Sequence, residues 1–229
     1  MLENPEFFKN MKKEIILIGG GGHCRSCIDV IEQENRFKIA GIVDVPEKLG
    51  EKICGYKIIG NDDDLLKMVK LYKHFLITIG QIKTADKRVK KFNSLKEAGA
   101  VFPTIISPFA YVSKHASLDE GTIVLHKAAI NVGVKIGKNC IINAQSDVEH
   151  DVAIGHHCHI STACVVNGDA HLGNRIFIGS NAVVAQGVSI HDDVIVGAGA
   201  VVIKSIKQSG LYFGNPCRIV KKTVAPATK

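Results

Sequence analysis

The sequence predicts a small α/β domain followed by a solenoid of short parallel strands, and three features carry that expectation. First, an aliphatic residue stands at every sixth position from Ile106 to Val202, through Val124, Ile142, Ile160, Ile178 and Val196, without a miss. A period of six fits neither a lone helix nor a half-buried strand, and self-similarity at a short fixed period marks a solenoid. Second, the residue two positions earlier is usually small or β-branched (Ala116, Thr122, Ala128, Cys140, Ser146, Cys158, Cys164, Ala170, Ala182, Ala200), as a narrow tube interior requires. Third, residues 13–44 read strand, glycine turn, helix, strand, acid, which is how a doubly wound nucleotide-binding fold opens.

In chain order, residues 1–11 form a polar leader without the apolar core of a signal peptide. A buried strand from Lys13 runs into Gly19–Gly22 and His23, a helix follows over 24–33, and a second strand over 37–44 ends at Asp44. His23 and Cys24 occupy the positions where the dinucleotide fingerprint would continue, so no redox cofactor is expected. The run from Ile58 to Asp64, a helical stretch from Leu65, a strand over 74–80 and an amphipathic helix over 85–98 complete the unit. Gly80 then falls on the same sheet edge as the glycine turn and Asp44, the edge where open α/β sheets bind ligands. Residues 102–108 pass into the solenoid.

Within the solenoid, Asn131, Gly137, Asn143, Gly155, Asn167, Gly173, Gly179 and Gly197 follow directly after aliphatic positions and are expected to supply corners of positive φ. The unbroken register leaves no room for an inserted loop. The pattern resembles the hexapeptide repeat of the left-handed parallel β-helix, a triangular prism with eighteen residues per coil.

Composition narrows the function. The 229 residues are 46% hydrophobic and carry a formal charge of +7. The basic residues are scattered and there is no Trp, so nucleic acid is not an expected partner, and a polyphosphate-bearing ligand explains the sign as well. No apolar run approaches a membrane span, so a cytoplasmic protein without membrane insertion is expected. Of seven Cys, three (Cys140, Cys158, Cys164) fall on inward positions and read as reduced core residues.

The segment 148–160 concentrates titratable groups. His150 lies beside Asp151 near a corner, and an imidazole next to a carboxylate can act as a general base; the alternative is a polar surface corner. Zinc binding by His156, His157, Cys158 and His159 is not expected, because Cys158 points inward and strand neighbours point apart.

The glycine turn with His23, Asp44 and Gly80, then His150-Asp151 with Gly155 and His159, and the closing Phe213-Gly-Asn-Pro-Cys-Arg218, together resemble the acetyltransferases of bacterial nucleotide-sugar and sialic acid pathways. The likeness is greatest to the UDP-4-amino-sugar N-acetyltransferases of bacillosamine synthesis. It implies a Rossmann-like nucleotide-sugar-binding domain over 12–102, a left-handed β-helix acetyltransferase domain over 103–206 and a closing segment and tail over 207–229. It also implies His150 as base and Asp151 as its modulating acid, where the bacillosamine enzymes tend to have Glu. His159, Ser180 and Ala198 would meet acetyl-CoA, and Gly21, Gly22, His23, Asp44 and Gly80 would hold the sugar nucleotide, with Val45 where those enzymes have a second acid. The implied reaction is direct acetyl transfer from acetyl-CoA to the amine of a nucleotide-linked 4-amino-4,6-dideoxy sugar in a homotrimer, without a metal, the oxyanion met by His159 or a backbone N–H. The alternatives are O-acetylation of a sialic-acid-like nonulosonate, a non-catalytic nucleotide-sugar-binding β-helix protein and a zinc hydratase on the same β-helix.

Overall fold

The computed structural model describes residues 12–222; the expected leader, 1–11, and the end of the tail, 223–229, lie outside them. The first unit alternates β1 (Lys13–Ile18), α1 (Gly22–Glu34), β2 (Phe37–Val43), β3 (Lys52–Ile53), β4 (Tyr56–Gly60), α2 (Leu65–Leu71), β5 (His74–Ile77) and α3 (Asp86–Glu97). The strands pair in the order β3-β4-β2-β1-β5, all parallel except β3 against β4. Strand β1 is apolar on both faces because both are covered. Ile15 and Leu17 join the cluster formed with α1, and Ile16 and Ile18 join Met68 of α2 and Phe92 of α3.

From Ile105 the chain winds through two- and three-residue strands, β6 (Ile105–Ile106) to β22 (Val201–Val202), in three parallel sheets. Each residue pairs with the one eighteen positions on, as in Ile130↔Val148↔Val166↔Val184↔Val202, so the left-handed β-helix runs in strict register. Sheet A contains β6, β9 (Ile123–Val124), β12 (Ile141–Ile142), β15 (His159–Ile160), β18 (Phe177–Ile178) and β21 (Val194–Val196). Sheet B contains β7 (Tyr111–Val112), β10 (Ala129–Ile130), β13 (Asp147–Val148), β16 (Val165–Val166), β19 (Val183–Val184) and β22, and sheet C contains β8 (Ser117–Leu118), β11 (Lys135–Ile136), β14 (Ala153–Ile154), β17 (His171–Leu172) and β20 (Ser189–Ile190). A hairpin of β23 (Gly210–Phe213) and β24 (Arg218–Lys222) extends sheet A and ends the described chain.

The corners correct one expectation. Positive φ recurs every six residues, at Gly121, Lys127, Gly133, Asn139, Gln145, Asp151, His157, Ala163, Asp169, Arg175, Asn181, Gly187, Asp193 and Gly199. These lie three positions after the aliphatic, not one. The glycines directly after the aliphatics serve close approach instead: a Cβ on Gly155 would lie 2.5 Å from the Gly173 carbonyl oxygen, and one on Gly179 2.5 Å from the Ala198 nitrogen. The interior polar groups use the same approach. Thr122 Oγ1 donates to Gly137 O, and the thiols of Cys140, Cys158 and Cys164 donate to the carbonyls of Gly155, Gly173 and Gly179 at 3.2, 3.1 and 2.9 Å. The three cysteines are thus fully buried and satisfied, as expected.

The two kinds of glycine should respond differently to a methyl group. Gly155→Ala should cost about 3 kcal/mol, because backbone on the next coil must move. Gly187→Ala, at φ 66° with open space around it, should cost about 1 kcal/mol. Urea denaturation ranks the pair, and equal losses would refute the close-approach account.

Candidate active site

The α/β unit rests on sheet A. Ile105, Ile123 and Ile141, outward on that sheet, share a buried cluster with Ile28 and Ile31 of α1. At one end of this contact a cleft of about 1220 Å³ opens. Its walls are the glycine turn from Gly19 to His23, Asp44, Val45, the loop from Thr78 to Ile82, and the exposed side of α3; its far end is Asn143, His159 and Thr162 of the β-helix. The carboxyl ends of β1, β2 and β5 therefore face Asn143, His159 and Thr162 across the cleft.

Local chemistry explains why these segments take this shape. Helix α1 begins at Gly21 without a side-chain cap or an acid in its first turn, so its opening amides face the cleft. Asp44 is tied in place by Gly20 N at 3.2 Å, Val45 N at 2.9 Å and Lys48 Nζ at 3.1 Å. Those bonds hold its carboxyl below the usual carboxylate range, although burial opposes them. A Cβ on Gly20 would collide with Asp44 at 2.6 Å, so this glycine permits the contact. Lys48, Lys87, Lys90 and Lys91 line the cleft with Asp44 and Asp62. Lys48 and Lys91 are ion-paired with the two aspartates; among the described residues Lys87 and Lys90 have no such partner.

His159 is a fixed hydrogen-bonding group. Its Nδ1 lies 2.8 Å from the Gln81 carbonyl, which only accepts, so Nδ1 carries the proton and Nε2 takes the Asn143 amide at 3.2 Å. In this tautomer the ring has no proton to offer an oxyanion, contrary to one of the two donors expected above; the second amide hydrogen of Asn143 is free for that task. Burial, and to a lesser degree the Arg88 charge, push His159 down to about 4 although the Gln81 bond opposes them. His23, 6.3 Å from His159 between ring centres, is pushed down to about 3 by burial, then by Arg88. His157 is held at about 4 in the same way and accepts from Asn139 Nδ2 at 3.0 Å.

His150 and Asp151 sit elsewhere. They form the corner between β13 of sheet B and β14 of sheet C, opposite the sheet that carries the α/β unit. His150 Nδ1 donates to Asp151 Oδ2 at 3.1 Å, so in the neutral ring Nε2 is the nitrogen that can accept a proton. Asp151 is in the left-handed region (φ 60°). The pair is seated by glycines on the coils either side: a Cβ on Gly133 would strike Asp151 Oδ1, and one on Gly168 the Cε1–Nε2 edge of His150. Neither residue lines the cleft of its own chain.

Of the expected residues, Gly21, Gly22, His23, Asp44, Gly80 and His159 share the cleft, while His150 with Asp151 makes a second group. Ser180 lies 3.0 Å from Ser161 through its hydroxyl. Thr162, Ser180 and Ala198 stack eighteen residues apart, as Asn181 N to Thr162 O and Gly199 N to Ser180 O bonds show, and form a track leading away from the cleft. Sequence reasoning missed Asn143, Gln81, Lys87 and Lys90. Asn143 had been read as a turn residue, and the lysines belong to a helix whose amphipathic pattern gave no sign of which polar face meets a ligand. Among the described residues no group of three or more His, Cys, Asp or Glu could hold a metal ion, and no helix is long and apolar enough to cross a membrane.

Comparison with known proteins gives a consistent result. The PglD N-terminal domain model matches residues 14–92, and the bacterial transferase hexapeptide (six repeats) model matches 169–204. No curated protein sequence matches significantly. The chain is 32% identical to PerB from Caulobacter crescentus, solved in complex with CoA and GDP-perosamine, covering 90% of this chain and 97% of that one with a TM-score of 0.84. A histidine-to-asparagine variant of perosamine N-acetyltransferase from the same organism, also with CoA and GDP-perosamine, is 31% identical over 91% and 97%, TM-score 0.86. The acetyltransferase domain of PglB from Neisseria gonorrhoeae FA1090, in complex with acetyl coenzyme A, shares the fold at 23% identity over 92% and 100%, TM-score 0.83.

The histidine environments predict a pH response. An unfolded histidine titrates near 6.5, so below that pH the unfolded chain takes up protons that folded His23, His157 and His159 refuse. Stability should therefore fall as pH drops from about 6.5 towards 4, and none of the three rings should titrate by NMR above about pH 5. Any of them titrating near 6.5 in the folded protein would overturn the assignment.

Proposed function

This chain belongs to the family of bacterial sugar acetyltransferases that join a PglD-type N-terminal domain to a hexapeptide β-helix, and we propose that it acetylates the amine of a nucleotide-linked 4-amino-4,6-dideoxy sugar from acetyl-CoA. The observation that carries this reading is the cleft itself, which starts at a glycine turn and basic helix suited to a sugar diphosphate and ends at Asn143 and His159 on the β-helix. The glycine turn and α1 amides take phosphate oxygens, and Asp44 takes ribose hydroxyls. Lys87 and Lys90 match the two charges of the diphosphate that Lys48 and Lys91, already paired, leave open. The sugar then points towards the β-helix. Acetyl-CoA follows the track of Thr162, Ser180 and Ala198, its thioester at Asn143 and His159.

His150 is the base. Its Nε2 takes a proton from the attacking amine, the nitrogen bonds to the thioester carbon, the oxyanion is met by the Asn143 amide, and the C–S bond breaks to release CoA thiolate. Because His150 lies across the prism from the cleft of its own chain, the site is completed by a neighbouring protomer. Sheet B offers the surface for that assembly, its outward column running from the exposed Tyr111 through Ala129, Asp147, Val165 and Val183 to Val201, apolar but for one carboxylate. A homotrimer places each corner against the next chain's cleft. A cytoplasmic location, with access to acetyl-CoA and nucleotide sugars, is part of this reading.

The test is CoA-thiol release with acetyl-CoA and a panel of GDP-, UDP- and dTDP-linked 4-amino sugars beside sialic acids. We expect turnover on an amino sugar and a loss of about 100-fold or more in His150→Ala. Turnover on sialic acids alone would make it an O-acetyltransferase, and none at all would leave a binding protein. The doubly substituted Lys87→Ala/Lys90→Ala chain should raise KM for the nucleotide sugar by about 10-fold and leave that for acetyl-CoA unchanged.

Assembly makes a separate prediction. His150→Ala chains co-expressed with Lys87→Glu/Lys90→Glu chains should regain activity that neither possesses alone, since some interfaces join an intact cleft to an intact base. Activity no greater than the sum of the two homomers would place the whole site in one chain.

A further inference from the structure

Arg88 of α3 is 1% exposed, and among the described residues it has no carboxylate partner. Its guanidinium is held by neutral oxygens alone. Nη1 donates to Ile77 O at 3.2 Å and Ile79 O at 2.5 Å, and Nη2 donates to the carbonyl and the side-chain oxygen of Asn139, both at 2.8 Å. Nε is buried without a partner. Removing a charge from water without a counter-ion costs several kcal/mol, and apolar packing would join two surfaces more cheaply, so this residue calls for a role beyond adhesion. Burial pulls it down to about 10, which still leaves it charged at neutral pH.

Its contacts define that role. One edge of the fork grips the end of β5 and the loop after it; the other grips the β-helix corner at Asn139. Two residues beyond Ile79 in the gripped loop is Gln81. The Gln81 carbonyl takes the Nδ1 proton of His159, and its side-chain amide donates to Ile176 O at 3.3 Å. Arg88 and Gln81 therefore pin one short loop to the β-helix at Asn139, His159 and Ile176.

We propose that Arg88 is a positioning residue for acetyl transfer: by clamping loop 78–82 to the Asn139 corner it fixes the Gln81 carbonyl beneath His159, and so the tautomer and orientation of that ring in the cleft. The inference rests on the acetyltransferase reading above.

The experiment uses the full-length chain carrying Arg88→Met, Arg88→Lys or Asn139→Gly. The last removes one Arg88 acceptor, together with the donor to His157, while keeping a residue at ease at φ 52°. Two readouts are taken: kcat and KM for both substrates, and the ring ¹⁵N shifts of His159 in histidine-labelled free protein, assigned by comparison with His159→Asn. We expect kcat about 100-fold lower in Arg88→Met with KM for the nucleotide sugar within about 3-fold, and ¹⁵N shifts averaged between tautomers. Arg88→Lys and Asn139→Gly should fall between it and the wild type on both measures. A folded Arg88→Met with wild-type kcat, or with a lowered kcat but the wild-type tautomer, overturns the proposal. Where Arg88→Met does not fold, the other two variants decide by the same criteria. A wild-type chain inactive on every amino sugar would refute the reaction instead, while the ¹⁵N shifts still report whether Arg88 sets the His159 tautomer.

Discussion

Everything in this protein depends on residues stacking on their equivalents eighteen positions away. Parallel pairing in strict register fixes each column of side chains along the prism. Coils spaced by about 4.8 Å leave no freedom at a corner: whatever stands at one level sets what the next may carry. Asn139, His157 and Arg175 form one such column, and Gly133, Asp151 and Asp169 another. His150 and Asp151 can lie flat against the corner only because Gly133 and Gly168 leave space where a Cβ would intrude. The same spacing brings each inward thiol onto a glycine carbonyl of the adjoining coil, so a column of small residues also satisfies its backbone.

A prism has three faces, and the α/β unit takes one. With sheet A covered, the cleft can reach only residues that emerge beside that contact, which are Asn143, His159 and Thr162. The opposite corner, with His150 and Asp151, is as far from it as the fold allows. The separation has a chemical use. In the proposed reaction, a cleft sealed against its own β-helix holds the substrate rigidly, while His150, half-exposed beside Asp151, keeps access to water. On that reading the two meet between chains, so closure of the site is a property of assembly and needs no lid loop thrown out of the coils.

The sequence displayed the fold far more fully than the site. A sixfold aliphatic period can be read in one dimension because each coil repeats the same demand for a small residue, a buried aliphatic and a corner. The corner itself was misplaced by two residues. Glycine and asparagine directly after Ile136, Ile142 or Ile154 looked like sources of positive φ, yet that conformation falls on Lys127, Gln145, His157 and Arg175, side chains that carry no sign of it. His150 beside Asp151 was legible because neighbours in sequence are neighbours in space. Arg88 with Asn139, and Gln81 with His159, were not, since each pair is drawn from separate units 51 and 78 residues apart, and nothing in a lysine-rich helix distinguishes the one cation that turns inward.

That inward cation also accounts for how the histidines divide. His23, His157 and His159 all feel the Arg88 charge on top of burial, and all are held unprotonated. A protonated ring at any of these places would add a second buried charge of the same sign beside the first, so the guanidinium and the neutral imidazoles enforce one another. The consequence for chemistry is that acid–base work cannot be done at the floor of the cleft, where the rings serve as fixed donors and acceptors. In the proposed reaction it comes instead from His150, which lies across the prism outside that field and is supplied by a neighbouring chain.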